Sequence, residues 1–420
     1  ANEDATAEDL SEMTALAREA LDAGALGITT SRTIGHRSKS GRPVPGTFAP
    51  DEELLALAGA LRDAGHGVFE AIVAGTIGPL AVLGGERAKP IDELPLLAAI
   101  STTSGRPVTF TVAQLFEDTD HWRLVLDASA EANANGAQLR PQIIPRSVTI
   151  MTNLETYHLF MMCPTYQKIA DLPLAERVAE MRRPEVRAEI LSERGSFEVE
   201  PGLAGNLVGL FNVALPLTFP LTEPVDYEPK LDQSVWATAM AEEMDPAEHM
   251  YDLLLEDEGK AFYAVLGSNY VGGTLAACRE MLLDPNTVTG LSDAGAHVNL
   301  ISDCSVSTFH LTHWVRDRTQ GERLPVETVV AKLTSGNADL YGLDDRGVVA
   351  VGKRADLNVI DLDRLHIDLP EVRPDLPTGA TRILQGAQGY VATLVAGTVT
   401  RRNDVDTGAR PGRLVRGGRS

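Results

Sequence analysis

The sequence predicts an α/β fold: six parallel strands of an eight-stranded (β/α)8 barrel of the TIM type, followed by a small accessory β-sandwich domain. Three observations predict it. Up to Pro145, amphipathic helical runs alternate with short apolar runs. The alternation resumes at Pro246. From about residue 341 the pattern switches to short alternating segments bounded by turn residues.

The elements follow in order. Leu10 to Ala23 has helical spacing, and Gly24 breaks it before the run Ala25-Leu-Gly-Ile-Thr-Thr30. Asp51 to Ala64 precedes Gly67-Val-Phe-Glu-Ala-Ile-Val-Ala74, Leu94 to Thr103 precedes Pro107-Val-Thr-Phe-Thr-Val-Ala113, and His121 to Asn133 precedes Leu139-Arg-Pro-Gln-Ile-Ile144. Helix before strand with short turns is the signature of a parallel sheet. Residues 146–233 break the rhythm, with charged helical stretches such as Pro173 to Arg194 and a Pro-rich run from Leu215 to Pro229. This excursion is read as a helical insertion; its Met151, Met161, Met162 and Cys163 leave an active-site lid or an oligomer contact open. The helix Pro246 to Asp257, the strand Ala261 to Leu266, the helix Leu275 to Leu283 and the strand Val288 to Leu291 complete the six. After the helix Pro325 to Tyr341, Gly347 to Asp361 reads as two strands joined by a Gly-Lys turn, and Tyr390 to Thr400 as two joined at Ala396-Gly397. The expected division is 1–340 for the barrel and 341–420 for the β domain.

Composition excludes several classes. With 420 residues, 44% hydrophobic and 23% charged, the chain is an ordinary globular one, and a net charge of -22 argues against nucleic acid as a partner. No apolar run has the length of a membrane helix. Cys163, Cys278 and Cys304 are too scattered for a disulfide framework or a metal motif, which predicts a reducing, cytoplasmic setting. A small-molecule substrate and a homo-oligomer are expected.

The chemical signal is concentrated in Gly290-Leu-Ser-Asp-Ala-Gly-Ala-His297. An apolar strand stops there at an acid among small residues, and chemistry gathers at the carboxyl ends of parallel strands. Asp293 is a candidate catalytic group; by itself the turn also reads as a helix cap.

Four segments together resemble the amidohydrolase superfamily: Leu291-Ser-Asp-Ala-Gly-Ala-His297, Leu340-Tyr-Gly-Leu-Asp-Asp-Arg-Gly347, Gly352-Lys-Arg-Ala-Asp-Leu-Asn-Val-Ile-Asp361 and Val395-Ala-Gly-Thr-Val399. Within it they are similar to the branch of D-aminoacylases and N-acyl-D-amino-acid deacylases, as is Gly24-Ala-Leu-Gly-Ile-Thr-Thr-Ser31. The resemblance implies a distorted eight-stranded barrel with a composite β domain, hydrolysis of an amide bond, and Asp293 as the carboxylate that shuttles a proton between metal-bound water and the leaving amine. It also implies zinc or another divalent metal. The family's first-strand His-x-His pair is absent, so the chain is expected to start at the third strand, with further polypeptide upstream. Where the resemblance places histidines at the ends of the next strands, this chain has Gln114 and Gln142, weaker ligands than imidazole. Glu70 could act as an oxygen ligand, or face outward from its strand. A homologue without metal-dependent catalysis, acting in binding or assembly, is the alternative.

Ser31, Arg32, Ser292 and His297 are substrate-binding candidates at the same strand ends. Arg32 would grip a carboxylate bidentately, or pair with a surface acid. His297 would touch substrate or orient the acid, or face solvent. His36 lies in the polar loop that follows Arg32. His310 and His313, three apart on a helix, are assigned to packing because no third ligand lies near them in sequence.

Overall fold

The computed structural model describes residues 4–38, 41–76, 78, 88–194, 203–290, 292 and 295–418. Four helix-strand units open the chain. Helix α1 (Ala7–Asp22) starts at a capping box in which Thr6 and Asp9 exchange hydrogen bonds. Helices α2 (Asp51–Ala64) and α3 (Leu94–Ser104) stop where Gly65 and Gly105 adopt left-handed φ of 71° and 65°. Helix α4 spans His121–Ala134.

The strands they precede are β1 (Gly27–Ser31), β2 (Val68–Ile72), β3 (Val108–Thr111) and β4 (Leu139–Ile143). Three strands leave this layer: β5 (Thr149–Thr152), β6 (Thr218–Pro220) and β7 (Tyr263–Leu266); β8 (Val288–Thr289) returns to it. The resulting sheet has five strands in the order β1-β2-β3-β4-β8, and all its pairs are parallel. Phe69, Ala71, Val108, Phe110, Leu139 and Ile143 on its outer face pack with Leu54, Leu61, Leu97, Ile100, Trp122 and Val125 of the helices in one core. Burial of that face is the main stabilising term for the layer.

The expected α/β class with a parallel sheet and a separate antiparallel part holds, with one strand reassigned. Ala261 to Leu266 was read as one of the six parallel strands; β7 instead lies at the centre of a three-stranded antiparallel sheet, β5-β7-β6. A short, wholly apolar run shows that a strand is buried, not which neighbour buries it. The 146–233 insertion builds a second core with the residues that follow it: Phe160, Tyr166, Met181 and Phe211 cluster with Tyr251 and Val265. Pro173 to Arg194 forms two helices, Leu174–Met181 and Pro184–Glu193.

Beyond residue 341, β9 (Leu357–Ile360), β10 (His366–Arg373), β11 (Arg382–Gln388), β12 (Tyr390–Val395), β13 (Thr398–Arg402) and β14 (Val405–Asp406) form two antiparallel sheets, β14-β13-β12-β9 and β10-β11. Ala396 and Gly397 make the expected tight turn, with φ of 49° and 78°. Gly347 to Val351 is not the strand expected: Val349 is 88% and Val351 108% exposed, and neither pairs. Alternation selects a face, but a strand needs a neighbour to complete its hydrogen bonds. Pro325 to Tyr341 is broken at Thr334 (φ -126°, ψ -87°) into helices Val326–Leu333 and Ser335–Leu340.

Candidate active site

Alternation along the parallel strands separates two chemistries. Leu139 and Ile143 point into the helix-packed core, so Arg140 and Gln142 lie on the opposite, inner face. The register places Thr29 beside Glu70, Glu70 beside Thr109, and Thr109 beside Arg140, one row across four strands. The next row toward the carboxyl ends holds Ser31, Ile72, Thr111 and Gln142. The inner face is therefore polar where the outer is apolar. The Thr109 hydroxyl is buried and has no hydrogen-bond partner among the described residues.

Glu70 and Gln142 meet on this face, the Gln142 amide nitrogen donating to Glu70 Oε1 at 3.4 Å. Gln142 also packs so closely on the chain leaving β8 that a Cβ added to Gly290 would lie 2.5 Å from its Cδ. Glycine is required there by close approach. Tyr341 reaches the same place: burial raises the pKa of its phenol, and the Glu70 charge raises it further. Of the loop that follows, Ser292 is half-buried and His297 exposed in the left-handed region at φ 47°. Asp293 lies outside the described residues.

At the end of β1, Ser31 Oγ and His36 Nδ1 are 2.7 Å apart, and the His36 and His297 ring centroids are 6.5 Å apart. These three come together from the two loops that follow β1 and β8. Arg32 does not share their role as it stands. Its guanidinium pairs with Glu93, both side chains largely buried, and donates to the Ala49 carbonyl at 2.9 Å. Gln114 is tied elsewhere: its backbone N–H donates to Asn269 Oδ1 at 2.7 Å and its side-chain amide to the Thr119 carbonyl at 3.3 Å. Ser31, His36 and His297 form one group, and Glu70 and Gln142 another; Arg32 and Gln114 stand outside both.

The described residues do not fit a metal centre. No group of three His, Cys, Asp or Glu among them could hold an ion. Glu70 supplies one carboxylate, and Gln142 turns its N–H donor, not a ligand oxygen, toward it. His310 and His313 are buried, as the packing assignment requires. Burial, with Lys332 adding to it, pushes His310 down to about 3. His313 stacks on Phe309 at 4.6 Å and lies 3.0 Å from Glu228.

Sequence reasoning missed the cluster around Glu228. This carboxylate, 3% exposed, accepts from Arg318 Nε and Nη2 at 3.0 Å each, from the Leu275 N–H at 2.6 Å and from Thr274 Oγ1 at 3.0 Å. Burial opposes its ionisation, but the hydrogen bonds from His313, Arg318 and Leu275 outweigh that and hold its carboxyl at about 2. Glu228 sits in a Pro-rich stretch with no periodicity, so no local signal marks it. Of the inner polar row, Ser31, Glu70 and Gln142 were candidates and Thr29, Thr109, Thr111 and Arg140 were missed, although the signal was present: all occupy alternate positions of apolar strands.

Residues 238–401 match the model of the amidohydrolase family. No curated protein matches the sequence. Among solved structures, the chain is similar to a D-aminoacylase described as defining a novel subset of amidohydrolases, at 19% identity and TM-score 0.55, over 99% of this chain and 68% of that one. It is also similar to a D-aminoacylase described for the role of its binuclear metal centre, at 18% identity and TM-score 0.53, over 99% of this chain and 68% of that one. A copper-bound D-aminoacylase variant is similar at 17% identity and TM-score 0.51, over 97% of this chain and 66% of that one. The chain thus spans about two thirds of their length. The family match supports the amidohydrolase resemblance of the motifs, and the structural likeness shows the fold.

Proposed function

We propose that the chain is a hydrolase of carbon-nitrogen amide bonds, acting on N-acyl amino acids, those of the D series first, with Asp293 as general acid/base. One observation carries the reading: the amidohydrolase match over 238–401 takes in the segment from Gly290 to His297, and Gly290, where it begins, lies against Gln142, which contacts Glu70 on the polar inner face. In the proposed reaction a water oxygen attacks the amide carbonyl carbon, the Asp293 carboxylate takes the water proton and returns it to the nitrogen, and the carbon-nitrogen bond breaks. A divalent cation such as zinc, which the resemblance implies, would supply a more acidic water. Since the described donors do not fit one, no step is drawn through it. The reading includes a small-molecule substrate and a self-associating cytoplasmic protein; among the described residues, no helix is long and apolar enough to cross a membrane.

The donor set favours a second reading, a metal-free homologue that binds or assembles without catalysis. Assay of the purified protein on N-acetyl amino acids of both hands, beside Asp293→Asn and with elemental analysis, separates the two. Hydrolysis by the native chain, lost in the variant at an unchanged melting midpoint, is expected. Activity that survives Asp293→Asn removes the assigned role, and no turnover of any substrate together with no bound metal establishes the second reading.

A further inference from the structure

Arg32, the guanidinium expected to receive a substrate carboxylate, is occupied by Glu93 and the Ala49 carbonyl. Arg140 is differently placed. It stands second in β4 on the inner face, partly buried, and its hydrogen bond is to the neighbouring Leu139 carbonyl at 2.9 Å. Among the described residues it has no carboxylate partner. Acids outnumber bases by 59 to 37 in this chain, so an inward-facing cation left without an acid is not explained by scarcity of partners. A partly buried charge without a counter-ion is costly to the protein alone. Beside it in register stands Thr109, whose buried hydroxyl also lacks a partner among the described residues. On the far side of Thr109 comes Glu70.

We infer that Arg140 is the carboxylate-binding residue of this site, and that Thr109 completes the shell around the bound anion. The inference rests on the amide-hydrolase reading and adds to it a substrate orientation. Glu70 and Arg140 are two strand spacings apart, roughly 10 Å between Cα atoms. The free carboxylate of an N-acyl amino acid then lies at Arg140, where a planar guanidinium matches it with two parallel hydrogen bonds. Its amide lies toward Glu70 and Gln142, beside Gly290 at the end of β8. The substrate class that fits is one with a free acid one carbon from the amide nitrogen; neutral amides and esters lack the group that Arg140 reads.

The test compares N-acetylalanine with N-acetylalaninamide, each enantiomer separately, on the full chain. Native protein is expected to favour the acid over the amide in kcat/KM, with the difference in KM. Arg140→Gln should reduce that preference by about ten- to a hundredfold, the range for a hydrogen bond to a charged group. Arg140→Lys keeps the charge without the fork and should retain part of it. Calorimetric titration with the same two compounds gives a reading that needs no turnover. If the native chain hydrolyses neither compound yet binds the acid through Arg140, the hydrolase reading falls and this inference stands. If acid and amide bind equally, or Arg140→Gln keeps the native preference at an unchanged melting midpoint, the inference is overturned.

Discussion

Two polar regions of this molecule treat their hydrogen-bonding groups in opposite ways. Around Glu228 the carboxylate is closely surrounded: Arg318 gives two hydrogen bonds, Leu275 and Thr274 one each, His313 Nε2 lies 3.0 Å away, and Arg318 lies 4.7 Å over the Trp314 ring. On the inner face of the parallel sheet, among the described residues, Arg140 has no acid partner and the Thr109 hydroxyl no hydrogen bond, while Glu70 and Gln142 meet at 3.4 Å. The first is the condition of a group built to hold the fold together, since buried polar atoms are nearly always satisfied. Arg140 and Thr109 show the second condition, which the proposed carboxylate site would relieve. A saturated cluster should therefore lose stability when altered, and an unsaturated one should lose binding.

The largest effect is expected at Glu228. Glu228→Ala leaves Arg318 and His313 buried without their carboxylate, and breaking such a group costs about 3–5 kcal/mol. Urea unfolding should show the loss directly, and a change below about 1 kcal/mol would mean that the cluster is not what ties the insertion to the helices beyond β8.

Acid should attack the same region next. The folded carboxyl of Glu228 titrates at about 2 against 4.5 for the ordinary group, so its contribution is fully present above 4.5 and is lost as pH falls toward 2. The difference is worth roughly 3 kcal/mol. Unfolding midpoints measured between pH 6 and pH 2 should fall in that window for the native chain, and fall less for Glu228→Gln. Equal slopes in the two proteins would assign the acid sensitivity to other carboxylates.

The contrast also explains what the sequence could and could not show. Helix and strand positions in the first 145 residues follow from period alone, and Asp51 to Ala64 was placed to the residue. The reassigned β7 and the unpaired run Val348 to Val351 both failed on partner choice, which depends on residues far away in the chain. Ser31 and His297 were named as candidates because strand ends focus chemistry, but the contact between His36 and Ser31 depends on a loop conformation that no motif marks. Arg32 was a candidate because it ends its strand, and Arg140 was not considered. Glu93, 61 positions later in sequence, is what removes it from the site. The sequence thus pointed to one end of the sheet but not to the partner that engages Arg32 there.

The smallest effect has the opposite sign, and for that reason it separates the two regions most sharply. Thr109→Val replaces a buried hydroxyl with a methyl group of the same shape. Where the hydroxyl is bonded, such a change costs about 1 kcal/mol; where it is not, removing it relieves an unsatisfied group. Thr109 Oγ1 has no partner among the described residues, so the variant should be more stable than the native chain by up to about 1 kcal/mol in urea unfolding, while binding N-acetylalanine more weakly. A loss of stability would show that Thr109 is bonded in the free protein, and the inner row would then belong with Glu228 among the groups that hold the fold.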